Sequence, residues 1–447
     1  MDMLKRRLPL SYARELEASW NTGKLLSLIG MRDWAEDKDK GGWLPLCTEP
    51  DKKKRDDDCS IKNSNAVAGG NSRCVEEEES AEDALLNQLA AIYERKEGGG
   101  TGSQNLMFTE CAEQALDLLL RSLAGEGGAV LVETPTSPGA LELMRRHGVE
   151  AVPVACDRDG MLPDDLRRKS SGVEYRPVLV YVTPQYSNPS GRVWSRERKI
   201  ALLQVSAELH LTVVENETTG GWLFDEAWHV GVSEEENMET GPKSAQAADL
   251  VSPTESLYQL CWSEEVKHSE VIAMGSFEGT FALPSRLAWL RGAPELLARL
   301  RRACSAEELR GAERAAGAGQ LRAWLEQPPA AWRAAAAELA AVYAARRAGL
   351  LALLQAPPWR GAAAEDPGGG RYLWVRLPAG VSSEALLRAS LRHGTAFLPG
   401  TLCCAGEPDD ADAYIRLSLA AQDDARLREG VARLTAALAE FTARSAE

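Results

Sequence analysis

The sequence predicts an α/β protein: a large domain built on a mostly parallel sheet, and a smaller α/β domain toward the C-terminus. Three observations carry this. From residue 106 to about 290, short apolar runs alternate with helical patterns, the mark of βα units laid side by side. Several runs, 178–182 above all, are continuously apolar, as a strand covered on both faces must be. After residue 292 the composition shifts to Ala, Leu, Arg and Glu, and a second, shorter series of strands and helices follows.

Each element has its own signal. Residues 1–47 form an N-terminal segment with a short amphipathic stretch at 12–28. Residues 48–82 carry blocks of like charge and few apolar side chains, so they cannot bury a core and read as a disordered insert. The large domain spans 83–292. Leu85, Leu86, Leu89 and Ile92 recur at helical spacing, and Ala115, Leu116, Leu119, Leu120 and Leu123 share one helix face. Strands are expected at 129–132, 150–155, 178–182, 211–214, 270–274 and 287–290, and a helix at 138–147. Ser195 caps a helix through 208. Residues 230–268 are polar and read as a second insert. From 293 to 447, linking helices that include a long one at 330–355 lead into the small domain. It has strands at 372–377, 396–398 and 414–419, and helices at 383–393 and 423–442.

The 447-residue chain is 44% hydrophobic and 26% charged, with a net charge of −15. Those proportions are ordinary for a globular protein. The acidic balance excludes a nucleic-acid partner, which needs a basic face, and disfavours an anionic membrane surface. No segment approaches the roughly 18 apolar residues that span a bilayer. The nine cysteines show no metal-ligand spacing and read as reduced thiols of a cytoplasmic protein. His210, His229 and His268 likewise show no ligand spacing, and neither His147 nor His393 is placed near a site.

Five segments carry chemistry: TPQYSNPSG at 183–191, VIAMGSFEGTFALPSRLAWL at 271–290, GGGRYLWVRLP at 368–378, FLPGTLC at 397–403 and YIRLSLA at 414–420. In this order they resemble the class I/II aminotransferases of fold type I, which depend on pyridoxal 5′-phosphate (PLP). The resemblance implies a seven-stranded-type sheet between helices, a homodimer, and PLP as the cofactor. It also implies an amino acid or keto acid as substrate.

Residue by residue, the resemblance divides the site. Arg286 and Ser276 match cofactor-phosphate ligands, and Asn188 matches the asparagine on the ring hydroxyl. Arg416 matches the arginine that takes the substrate α-carboxylate. TECAEQAL at 109–116 matches the helix N-terminus that faces the phosphate, with Ala112 and Glu113 in its first turn. There Cys111 replaces a usual glycine, and Glu113 brings a carboxylate where a neutral side chain is usual. Gly279 stands where the family has the lysine that links covalently to PLP and moves the substrate proton. Asn216 replaces the aspartate that holds the ring nitrogen protonated, Thr219 a tyrosine, and Ser137 the aromatic ring that stacks on the cofactor. The anchors are retained and the reactive groups are not. The expectation is a catalytically impaired member of the family, with PLP non-covalent if bound, acting by binding or by pairing with an active homologue. The alternative is an active aminotransferase or lyase that uses another base, and a third is that the segments at 48–82, 230–268 and around Gly279 are misassembled.

Overall fold

The computed structural model describes residues 26–27, 71–97, 101–171, 177, 179–220, 255–266, 269–277, 286–305, 308–309, 311–406, 410–420 and 422–444. In chain order these give β1 (Leu26–Ser27), α1 (Asn71–Glu97), β2 (Leu106–Thr109), α2 (Ala112–Leu119), β3 (Ala129–Thr134), α3 (Pro138–Arg146), β4 (Glu150–Asp157) and β5 (Gly160–Met161). Next come α4 (Pro163–Ser171), β6 (Leu179–Val182), α5 (Arg196–Glu208), β7 (Thr212–Asn216), the one-turn α6 (Leu257–Leu260), β8 (Glu270–Ser276) and β9 (Ala288–Arg291). The C-terminal part adds α7 (Pro294–Ala303), α8 (Ala312–Leu325), α9 (Pro329–Leu353), β10 (Tyr372–Arg376), α10 (Ser383–Arg392), β11 (Thr395–Ala396), β12 (Leu398–Pro399), β13 (Tyr414–Ser418) and α11 (Asp424–Arg444).

The large sheet has the order β2-β9-β8-β7-β6-β3-β4-β5. Strands β4, β3, β6, β7 and β8 run parallel, and β9 lies antiparallel between β8 and β2. The mostly parallel sheet is therefore as expected, with an eighth, two-residue strand added at one edge. That strand, β5, turns back on β4 at Gly160, whose φ of +127° suits glycine and where a Cβ would lie 2.4 Å from the Trp194 ring.

Alternation along the strands sorts side chains to two cores. Leu131, Val180, Val182, Val213 and Ala273 face α1, α5 and α6. Val130, Val132, Tyr181, Val214, Ile272 and Met274 face α2, α3 and α7. A third core joins α9, α10 and α11 to the antiparallel sheet β10-β13-β12.

Three expectations are corrected. The polar insert expected at 230–268 gives way at 255–266, where α6 packs Leu257, Tyr258 and Leu260, with Val266, into the core. The charged insert was expected to run to residue 82, yet α1 begins at Asn71. Its Glu-rich stretch precedes an apolar stripe in the same helix, and Glu is a good helix former. The strand expected at 396–398 divides into β11, paired parallel with β1, and β12, paired antiparallel with β13. Residues 48–70, 230–254 and Gly279 lie outside the described residues. Among the described residues no helix is long and apolar enough to cross a membrane, and no cluster of His, Cys, Asp or Glu is arranged to hold a metal.

From β3 the chain goes to β4 on one side, then returns to β6 on the other. That reversal leaves a crevice at the carboxyl ends of β3 and β6, where open α/β sheets bind ligands. Ser137 follows the end of β3, Asn188 follows β6, and Asn216 ends β7.

Candidate active site

Ser137, Asn188 and Arg416, from three distant segments, meet in one chain of contacts. Arg416 of β13 is fully buried. Its guanidinium lies 4.2 Å from the Tyr372 ring centroid, and its Nη1 donates to Asn188 Oδ1 at 2.6 Å. The other end of the Asn188 amide, Nδ2, is 3.4 Å from Ser137 Oγ. Ser137 is the N-cap residue of α3. A buried guanidinium stacked on one ring and steered by one amide is a preorganised seat for a carboxylate.

Asn216 is also buried, but it is committed to its neighbours. Its Nδ2 donates to the Tyr181 hydroxyl at 2.6 Å, and its Oδ1 accepts from Thr218 N at 2.9 Å. Burial holds the Tyr181 phenol well above its usual range, against the Asn216 hydrogen bond, so both partners are neutral. Thr219 is buried, and its hydroxyl donates to the Gln185 carbonyl at 2.7 Å.

The expected phosphate end is less orderly. Cys111 is the N-cap of α2, followed by Ala112 and the exposed Glu113. The Cys111 thiol is pushed up to about 11, first by burial and then by Glu113, with Arg286 opposing. Arg286 is therefore close enough to act on Cys111. Its Nε lies 3.3 Å from Glu313 Oε2 of α8, and its side chain is 61% exposed. Ser276 ends β8 half-buried. Arg286 thus lies toward the N-terminus of α2 and is largely exposed.

Reading the sequence missed three features. Tyr181 interrupts an otherwise aliphatic strand, and Glu133 ends the apolar run of β3; each is a polar residue at a strand end facing a buried site, which was a usable signal. The third lies behind the sheet. Arg291 is wholly buried between the rings of Tyr93 (4.1 Å) and Tyr258 (4.2 Å). Its Nη1 donates to Glu97 Oε2 at 2.7 Å, and its Nη2 lies 3.6 Å from Glu217 Oε1. Glu215 accepts from the backbone N–H groups of Leu257 and Tyr258, each at 2.9 Å. The buried Lys199 donates to the Glu255 carbonyl at 2.8 Å, and burial depresses its amine to about 8 against the pull of Glu215. By strand alternation Glu215 and Glu217 face away from Asn216. Lys199 thus stands across the sheet from the crevice and cannot serve as its lysine.

A sequence model described as aminotransferase class I and II matches residues 78–434, well over half of the chain. The chain belongs to the class I and II aminotransferase family. A 2-aminoadipate transaminase of Thermus thermophilus is 27% identical over 345 residues, covering 76% of this chain and 76% of that protein. An aromatic-amino-acid aminotransferase of Thermococcus litoralis is 24% identical over 339 residues, covering 75% and 73%. In structure, an α-aminoadipate aminotransferase of Thermus thermophilus, complexed with N-(5′-phosphopyridoxyl)-L-leucine, superposes with a TM-score of 0.63 at 25% identity. It covers 83% of this chain and 87% of its own. The fold type I architecture of the family is the fold seen here. Ser137, Asn188, Asn216 and Ser276 stand at or just beyond the carboxyl ends of β3, β6, β7 and β8.

The Thr134 and Thr136 hydroxyls, buried beside Ser137, have no hydrogen-bond partner in the structure, so that loop keeps polar capacity for a ligand. Asn216 and the protonated Tyr181 bring no charge to the crevice.

Proposed function

We propose that this aminotransferase-family protein binds PLP without a covalent bond and has lost, or nearly lost, transamination. The buried Arg416–Asn188 pair carries this reading. A fully desolvated arginine, already aimed, favours a carboxylate ligand, while the neighbouring Asn216 is neutral and hydrogen-bonded on both sides. When bound, PLP supplies an electron sink for bonds at an amino acid's α-carbon. Arg416 would hold the α-carboxylate, Asn188 would fix the guanidinium and meet the ring, and Asn216 would touch the ring nitrogen without protonating it. Arg286, Ser276 and the N-terminal turn of α2 at Ala112 would hold the phosphate, weakened by the like charge of Glu113. With glycine at 279, no lysine follows Lys267 in the sequence to accept or return the substrate proton.

The ligand class is an amino acid or keto acid, and we place the protein in the cytoplasm because its described cysteines are free. A homodimer, or pairing with an active relative, follows the same reading. Arg416→Ala is expected to weaken binding of a pyridoxyl–amino acid adduct by roughly 1.5–3 kcal/mol, the worth of a charged hydrogen bond, as read by calorimetry. Glu113→Gln is expected to tighten PLP binding a few-fold by removing a like charge from the helix N-terminus. Unchanged affinity in both variants would remove the crevice from the account.

A further inference from the structure

Glu133 lies at the carboxyl end of β3, 3% exposed, behind the loop that carries Asn188. That loop closes on itself: Ser187 N donates to Arg192 O at 2.8 Å, and Trp194 N to Pro184 O at 2.8 Å. The Glu133 carboxyl is its hub. Thr183 N donates to Oε1, the Trp194 side chain bonds to the same carboxyl, and Ser187 Oγ lies 3.1 Å from Oε2. Ser187 Oγ is also within hydrogen-bond reach of the Thr183 carbonyl.

A proton count decides the state of this hub. The Ser187 hydroxyl has one proton and faces two acceptors. An ionised carboxylate has none to give, so one of the two contacts would set acceptor against acceptor in a buried site, at a cost. A protonated Glu133 satisfies both: its O–H donates to Ser187 Oγ, and Ser187 donates to the Thr183 carbonyl. We infer that Glu133 is a positioning residue, a neutral carboxylic acid whose proton orders loop 183–191 so that Asn188 meets Arg416. When that proton leaves for solvent, Ser187 turns its O–H to the carboxylate, the Thr183 carbonyl loses its donor, and the loop loosens.

Burial supports this by pushing the Glu133 carboxyl up to about 8, against the hydrogen bonds from Thr183, Ser187 and Trp194. The titratable groups that feel its charge are Cys156 on β4 and Tyr181 on β6, both held protonated by burial first; Arg192 opposes this at Cys156. The sign follows from linkage. The native pKa lies above the usual 4.5, so the folded state binds the extra proton, and stability falls as pH rises from about 4.5 to about 8.

The full-length chain tests this with Glu133→Gln and Glu133→Ala. The glutamine amide N–H₂ can donate to Ser187 Oγ while its carbonyl accepts from Thr183 N, so it mimics the protonated acid at every pH. Hydrogen–deuterium exchange of peptide 183–191, corrected for intrinsic rates, and unfolding free energy are followed from about pH 5 to about pH 9. Wild type should lose protection and stability toward the upper end. Glu133→Gln should hold the low-pH wild-type protection throughout, and Glu133→Ala should be unprotected throughout. A Gln variant that titrates like wild type, or that is unprotected at low pH, overturns the inference. A third arm follows PLP affinity, expected to fall with pH in wild type and stay level in the Gln variant. It rests on the proposed binding role: if PLP fails to bind at any pH, that role fails, while the exchange data still decide the part played by Glu133.

Discussion

Purified protein supplied with PLP, a panel of amino acids and 2-oxoglutarate is expected to form keto acids at least ~10²–10⁴-fold more slowly than a lysine-bearing relative, the usual worth of a positioned acid–base group. Two substitutions combine in this expectation. Glycine at 279 supplies no amine, and Asn216, which the proposed binding role sets at the ring nitrogen, supplies no charge. The buried Lys199 does not compensate: it is fixed to the Glu255 carbonyl on the far side of the sheet. Robust turnover on any amino acid would show that another group has taken over the proton transfer. The active alternative would then stand.

Arg291→Ala is expected to destabilise the fold by about 3–5 kcal/mol, the cost of leaving partners of a buried ion pair uncompensated. Glu97 and Glu217 would lose their counter-charge, and the rings of Tyr93 and Tyr258 would lose the cation between them. Burial already pushes the Glu217 carboxyl well above its usual range, with Glu215 adding to the shift and Arg291 opposing it. Losing Arg291 should raise it further. Replacing all three charges together, Arg291→Met with Glu97→Gln and Glu217→Gln, should cost far less than the single change. Denaturant unfolding of the two variants checks both statements; equal losses would mean that the arginine acts through packing alone.

The fold was legible because its signals are local. Continuous apolar runs such as 179–182 announced buried parallel strands, and Ser195 announced the start of α5, where its hydroxyl accepts from Arg198 N at 3.3 Å. Motif position singled out Asn188 and Arg416, which are far apart in sequence and 2.6 Å apart in space. What the sequence could not carry was pairing between polar residues without a shared motif. Nothing in the sequence links Arg286 to Glu313, and nothing announces that Asn216 would be held by Tyr181. The buried Arg291 network has the same character. Its charged members, Glu97 on α1, Glu217 just after β7 and Arg291 on β9, each read alone as a surface charge.

On the proposed reading, the anchors of the site persist while its covalent chemistry is gone. Borohydride reduction of PLP-loaded protein, followed by dialysis and intact-mass analysis, tests it most directly, with Gly279→Lys as the control. The account predicts no stoichiometric pyridoxyl adduct on the wild-type chain and one adduct, at position 279, on the variant. A stoichiometric adduct at a single lysine of the wild-type chain would contradict it.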